Sequence, residues 1–588
     1  MQKQHGQWSV INDVLKKSKR NKEKNETLLT EDGHIVQNPE NALNEHYVSV
    51  ATALATKFVD SIEWKKTMKN KIQNSIFLDN VSILDVILAA KSLKPKSSSG
   101  HDDIPTKMIT ATINSTAPVL THLLNYSIET SIFPKIFKTA KVIPVEKIRN
   151  NTELSNFRPI SLLPGFSKLY EKILYNKLMS FFNKYNVISN YQYGFRKNHS
   201  TELAVTELIR KIGVASEEKK FTAGIFLDLS KAFDCIDHVI LLNKLEHYGV
   251  RGKSLMLMKS YLSDRKQFVR WKQKDSKLQK ISIGVPQGSI LGPLLFTIYI
   301  NDLPISLKFF EYVMYADDTN LFRSDKNINE LLNNINQNIS QIVEWFFHNR
   351  LTLNKNKTQL MIFGPVQYLN YKEPYKIMVG DQTVIETKTL KFLGIIIDSK
   401  LSFKYHINSV STKITQALGA INRIKYFLPL RSLNLLYNSL CVPHLVYANI
   451  IWASTYSSLT APLRIIMKKA MRLITRSKYS DSTEKLFTAT NNFDFYRLHK
   501  YLSVIFVFKQ STGILPEIFK NYYQFGVNKR HNNIIKCNKS KTNIVFFHIV
   551  CNGARIWNDL IFKNDLNSIL SYKTLSGFKK KLKVLLIN

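Results

Sequence analysis

A chain of 588 residues is long enough to bury a large core and to divide into roughly three or four domains. Hydrophobic residues make up 44% and aromatics 11%, which excludes a wholly disordered polymer. Lysine and arginine number 83 against 44 acids, a net charge of +39. An excess of that size spread through a folded chain points to a polyanionic partner. Nucleic acid comes ahead of an anionic membrane surface, because no basic amphipathic helix dominates. Cys235, Cys441, Cys537 and Cys551 are scattered without a CxxC pair, which argues for buried small residues rather than disulfides or a zinc knuckle. The N-terminal residues lack the apolar core of a signal peptide. The longest nearly apolar run, Ile290 to Ile300, is too short to span a bilayer and contains Gly292 and Pro293. The expectation is an intracellular protein, nuclear or cytoplasmic, not secreted and without a membrane partner.

From Met1 to about Glu45 the chain is polar and charged, with Trp8, Ile11 and Leu15 as apolar anchors. Its basic cluster, Lys16 to Lys22, reads as a solvated linker ahead of a nucleic-acid contact. Residues 46–94 turn helical in pattern, with apolar side chains at Val50, Leu54, Phe58 and Val59, then at Val81, Leu84, Val86, Ile87 and Leu88. Lys94 to Gly100 is a basic Ser/Gly loop that would either wrap a phosphate backbone or link two helices. Two helices are predicted next, Met108 to Ile113 and Pro118 to Ser131, followed by an apolar strand over Ala140 to Val145. Phe157 to Leu163 leads into a helix over Phe166 to Leu174, and Gln192-Tyr193-Gly194-Phe195-Arg196 follows. Arg158 and Arg196 fall in turn-like, aromatic-flanked contexts. A guanidinium there could clamp a triphosphate bidentately or simply face solvent.

Phe221 to Leu229 has the look of a buried strand, with Asp228 near its end. Ser230 to His238 then bends into a helix whose first turns hold Asp234 and Asp237, where acids complement the dipole and need no other role. Asp228 has no such explanation: an acid inside an apolar run calls for a cation or a partner. Gly284 to Phe296 is a glycine- and proline-punctuated loop opening a helix, whose backbone amides suit a phosphate or a closely approaching base. Gly252-Lys253-Ser254 resembles the end of a P-loop, but the required earlier glycine falls at His247. In Val313 to Phe322 two short strands are expected around a polar turn, Asp317-Asp318-Thr319-Asn320. Two carboxylates at one hairpin tip are costly unless cations neutralise them, and Mg²⁺ is the usual answer where phosphates are handled.

In this order the motifs resemble those of reverse transcriptases. Leu227-Asp228-Leu229-Ser230-Lys231-Ala232-Phe233-Asp234 is similar to the family's first palm motif, Gly284 to Pro293 to its second and Met314 to Asp318 to its third. Leu351 to Thr358 resembles the fourth, Leu390 to Asp398 the primer grip, and Phe157 to Ser161 with Gly194 to Arg196 the finger motifs. The details resemble non-LTR, LINE-type elements of the jockey-like group. The resemblance implies an α+β right-hand fold of fingers, palm and helical thumb, and an RNA-directed DNA polymerase. Its partners would be an RNA template, a DNA primer or target DNA, and dNTPs. Asp228 and Asp317, assisted by Asp318, would hold two Mg²⁺ ions, or Mn²⁺ in their place. By the same carry-over Phe233 would act as a steric gate against a 2′-hydroxyl, Arg158 and Arg196 would contact the triphosphate, and Gln287 and Gly288 would lie near the nascent base pair. Lys357 would donate a proton to pyrophosphate.

Beyond Asp398, Ile407, Val410, Ile414, Leu418, Ile421 and Ile424 recur at helical spacing with basic residues elsewhere on the turn, as a thumb tracking a duplex would require. The expected divisions are a polar and helical N-terminal extension over 1–94, fingers and palm over 95–398, a thumb over 399–480, and a C-terminal region, 481–588, without assigned chemistry. The 1–94 stretch is too short and polar for the endonuclease such elements usually carry, so the chain is expected to be a fragment or truncated copy. Two other readings stand: an inactive remnant that only binds RNA, and an intron maturase sharing the palm.

Overall fold

The computed structural model describes residues 28, 35–55, 62–148, 151–364, 373–526, 533–537, 539–563, 566, 570, 572 and 574–587. The anchors Trp8, Ile11 and Leu15, the basic cluster 16–22, and Phe58 and Val59 lie outside the described residues.

In chain order the first nine strands are β1 (Thr139–Glu146), β2 (Phe157–Leu162), β3 (Phe221–Leu227), β4 (Arg265–Trp271), β5 (Lys274–Asp275), β6 (Gln279–Ile281), β7 (Glu311–Tyr315), β8 (Asp318–Asp325) and β9 (Gln359–Phe363). They form two sheets. One runs β2-β1-β4-β5 with β6 also on β4, and its β1–β4 pair is parallel. The other, β7-β8-β3-β9, is antiparallel throughout. β3 lies inside this second sheet, and its side chains alternate between two cores: Ala223, Ile225 and Leu227 enter one, Phe226 the other. A strand covered on both faces has to be apolar along its length, which explains the unbroken run read in the sequence.

Helices cover both sheets, and segregated helices and mainly antiparallel strands make this an α+β chain. One expectation fails in the region before β1. A single helix, Thr106–Thr130, replaces the predicted pair and carries Pro118 in its interior. Ile109, Ile113, Ala117, Thr121, Leu124 and Ile128 form one continuous buried face along it. Packing of that face outweighs the single hydrogen bond the proline removes. The helix Pro39–Ala55 is tied to the first sheet by Asn44, which donates to Ser276 Oγ at 3.0 Å and accepts from Gln267 Nε2 at 2.9 Å.

Four further strands, β10 (Lys376–Val379), β11 (Gln382–Ile385), β12 (Thr389–Phe392) and β13 (Ile395–Asp398), make two hairpins. The helix Lys404–Ile424 follows and buries each of the six apolar positions predicted for it. Its core is shared with residues from both ends of the remaining chain, including Phe506, Trp557 and Phe578. The described residues of 481–588 therefore pack on the same apolar core as the helices before them. The contact reaches back to the helix Thr201–Glu217, where Glu207 accepts from Tyr522 Oη at 2.5 Å and His548 Nε2 bonds the Thr206 carbonyl at 3.0 Å. Among the described residues no helix is long and apolar enough to cross a membrane.

Candidate active site

β3 pairs antiparallel with β8, Leu227 opposite Thr319. Asp228 and Asp318 adjoin that last pair on the two chains, and both line one cleft at the end of the sheet. β7 and β8 close at Tyr315 opposite Asp318, so the turn is only Ala316 and Asp317. This corrects the four-residue turn read from the sequence. Asp318, Thr319 and Asn320 already belong to β8, and Asn320 Nδ2 donates to the Val313 carbonyl at 2.9 Å. A two-residue turn fits the strand twist but calls for a positive φ. Ala316 supplies it at φ 56°, at a cost of about 1–2 kcal/mol.

Three acids from two elements thus share one sheet end. The chain after β3 is fixed by Ser230 N donating to the Thr352 carbonyl at 2.9 Å and by Asn354 N donating to the Asp228 carbonyl at 2.8 Å. Burial, then the neighbouring charges of Asp317 and Asp228, push the Asp318 carboxyl up to about 6. Asp317 is also raised, chiefly by burial and further by Asp228, while its own backbone amide, Arg158 and Lys357 pull the other way. The Asp228 side chain is 33% exposed and its Oδ2 lies 3.3 Å from Lys357 Nζ. Among the described residues no three His, Cys, Asp or Glu side chains close around a point able to hold a metal ion. The donor chemistry nevertheless suits a hard cation: oxygen ligands only, crowded so that two of them resist ionisation. Asp228 and Asp318 line an open cleft of ≈ 340 Å³ with Asn320, Asn356, Lys357 and Gln359.

The other residues singled out in the sequence divide. Arg158 lies in strand β2 rather than a turn, exposed, and its charge acts on Asp317. Arg196 is half-buried and directs Nη1 at its own loop, the carbonyls of Ser189 at 2.8 Å and Gln192 at 3.2 Å. Phe233 stacks on Phe296 at 4.7 Å and meets Phe195 edge-on at 6.2 Å. Gln287 donates Nε2 to both carboxylate oxygens of Asp234, at 2.8 and 2.9 Å. Its Oε1 is therefore turned away from that acid. Gly288 has φ 130°, and a Cβ there would stand 2.4 Å from the Ser161 carbonyl oxygen, so the loop lies directly on β2.

Asp234 corrects the sequence reading, whereas Asp237 keeps its role at the start of the helix, one position ahead of its first turn. Residues 230–235 form turns, and the helix starts only at His238. Asp237 is its N-cap, accepting from Ile240 N at 2.9 Å and pairing with Arg350 at 2.6 Å. Asp234 instead orients Gln287; burial raises its carboxyl, against the pull of Gln287 and Lys231. Sequence reasoning missed two features near the site: Lys147, whose ammonium burial destabilises and the Arg158 and Lys357 charges destabilise further, and the placing of His46 and Tyr47, on the helix Pro39–Ala55, within reach of the charges of Lys231 and Asp234. Neither carried a local signal, since nothing beside Lys147 in the chain marks it among so many lysines.

Residues 147–397 match the family model described as reverse transcriptase (RNA-dependent DNA polymerase). The chain carries a reverse transcriptase domain. Every site residue read from the sequence falls inside that reverse transcriptase domain, as do β3 and the β7–β8 hairpin. The chain is 28% identical over 453 residues to the probable RNA-directed DNA polymerase from transposon BS of Drosophila melanogaster, covering 74% of this chain and 48% of the relative. It is 26% identical over 422 residues to the RNA-directed DNA polymerase from mobile element jockey of the same species, covering 69% and 45%. With the probable RNA-directed DNA polymerase from transposon X-element of that species it shares 26% over 384 residues, covering 64% and 42%. The chain spans about half the length of the curated relatives it matches.

Proposed function

We propose that the chain is an RNA-directed DNA polymerase of the non-LTR retrotransposon kind, extending a DNA primer on an RNA template. The observation that carries this reading is the meeting of Asp228 with Asp317 and Asp318 at one sheet end. Residues 95–398 would be fingers and palm, 399–480 the thumb, and 481–588 a buttress against the helix Thr201–Glu217. Asp228 and Asp317, with Asp318 beside them, would hold two divalent ions, Mg²⁺ first and Mn²⁺ as a substitute. When bound, such ions activate the primer 3′-hydroxyl and neutralise the triphosphate and departing pyrophosphate.

The protein's own groups supply positioning. Phe233, its ring fixed against Phe296, would exclude a 2′-hydroxyl. Gln287, its amide nitrogen held by Asp234, would present an acceptor oxygen to the nascent pair, with the close-packed Gly288 backbone beside it. Arg158 would bind the triphosphate. Arg196 would do so only through nitrogens other than Nη1. Lys357 would exchange Asp228 for the pyrophosphate and give it a proton. Purified protein with RNA template, DNA primer, dNTPs and Mg²⁺ should extend the primer, and Asp317→Ala should abolish extension. Undiminished extension by that variant overturns the reading.

A further inference from the structure

We propose that Gln192 is a positioning residue for the acidic turn, its amide oxygen fixing the backbone that aims Asp317. The catalytic consequence rests on the polymerase reading above; the structural one does not.

A two-residue hairpin leaves the amides of its central residues outside the strand ladder, so each needs an acceptor from elsewhere. For Ala316 that acceptor is Gln192, 124 residues away in the chain: Ala316 N donates to Gln192 Oε1 at 3.0 Å. The same oxygen accepts from Gly194 N at 2.7 Å. Both lone pairs of one carbonyl are thereby used, one on each side of the contact. Gln192 is 2% exposed, and its Nε2 has no hydrogen-bond partner among the described residues. The side chain therefore works as an acceptor alone.

Its own placement is set from several directions. Gln192 N donates to the Ser189 carbonyl at 3.1 Å, and Arg196 Nη1 holds both that carbonyl and the carbonyl of Gln192. On the edge of β7, Tyr193 N donates to the Met314 carbonyl at 2.8 Å and Met314 N to the Tyr191 carbonyl at 2.9 Å. Close approach is permitted by Gly194, where a Cβ would stand 2.4 Å from Ala316 N. The element so clamped is the one that most needs it, because Ala316 sits at φ 56° without being glycine and Asp317 is the next residue. Strained backbone persists where its surroundings over-determine it. Loss of the clamp should let the turn relax and move the Asp317 carboxylate relative to Asp228.

The experiment compares Gln192→Met, which keeps the length and removes the acceptor, with Gln192→Glu, which keeps an acceptor oxygen, at pH 8. In the metal-free protein, amide exchange of peptides spanning 312–320 should speed up about tenfold in Gln192→Met while the rest of the chain keeps wild-type protection. Mn²⁺ affinity, read by electron paramagnetic resonance, should fall about tenfold. In primer extension kcat should fall about 100-fold with the KM for dNTP within about threefold of wild type. Gln192→Glu should restore exchange and Mn²⁺ affinity to near wild type. The proposal is overturned if Gln192→Met leaves exchange at 312–320 unchanged, if exchange rises equally throughout the chain, or if Gln192→Glu behaves like Gln192→Met. A wild-type protein that fails to extend a primer would overturn the polymerase reading, and the exchange and Mn²⁺ arms would still judge the clamp.

Discussion

Asp302 is completely buried and each of its oxygens has a partner: Lys244 Nζ at 2.6 Å on one, Thr67 Oγ1 at 2.8 Å and Trp345 Nε1 at 3.1 Å on the other. Asp317 and Asp318 are only half-buried; burial and the Asp228 charge raise both carboxyls, Asp317 adds to the rise at Asp318, and Arg158 and Lys357 offset part of it at Asp317. The first acid is a finished part of the core. The second group is a site with its negative charge left over. What separates the two is the balance of charge: Asp302 has one fully buried cation at hydrogen-bond distance, whereas the second group sets three partly exposed acids against the exposed Lys357 and Arg158, and a cation from solution would complete it.

The contrast can be broken at either pole. The largest effect should come from Asp317→Ala, which is expected to lower primer extension by at least about a thousandfold, read in single-turnover assays, while urea unfolding shows wild-type stability or better. Next comes Lys244→Met, which strands Asp302 in the core and should cost about 3–5 kcal/mol in urea unfolding. Adding Asp302→Leu to it should return much of that loss, because the pair costs least when both charges are removed. A double variant as unstable as the single would mean that Asp302 is not a balanced structural acid.

The smallest effect tests the sign of the electrostatics. A carboxyl raised in the folded state favours folding when protonated, so its penalty is present above about 6 and disappears towards its ordinary value of 3.8. In EDTA at pH 8, Asp318→Asn should therefore stabilise the protein by about 1–2 kcal/mol after allowance for partial exposure, roughly 1–2 °C in Tm for a chain of this length. The gain should shrink to nothing near pH 4. Destabilisation at pH 8 would show that Asp318 is already neutralised by the protein itself.

Local pattern carried a good part of this. The apolar run into Asp228 was readable because a doubly covered strand must be apolar throughout. The six positions from Ile407 to Ile424 were readable because one helix face repeats within a single segment. The misreadings came where tertiary packing overrode a local rule, as at Pro118, or where the hairpin closed two residues tighter than its polar residues suggested. Pairings across long stretches of chain left no local trace at all. Gln192 with Ala316, Asp234 with Gln287 and Lys244 with Asp302 are separated by 124, 53 and 58 residues. Asp234 shows the consequence: its expected place in a helix's first turns suggested a dipole role, whereas it precedes the helix and its partner is a glutamine on another loop.

The central claim is that Asp228, Asp317 and Asp318 form one under-neutralised group that a divalent cation completes. Equilibrium Mn²⁺ binding to the wild-type protein and to Asp228→Asn and Asp317→Asn, at pH 8 and without nucleic acid, tests it most directly. The account predicts saturable binding by the wild type and its loss in both variants, although they lie on separate elements. Equal binding by all three proteins would contradict it.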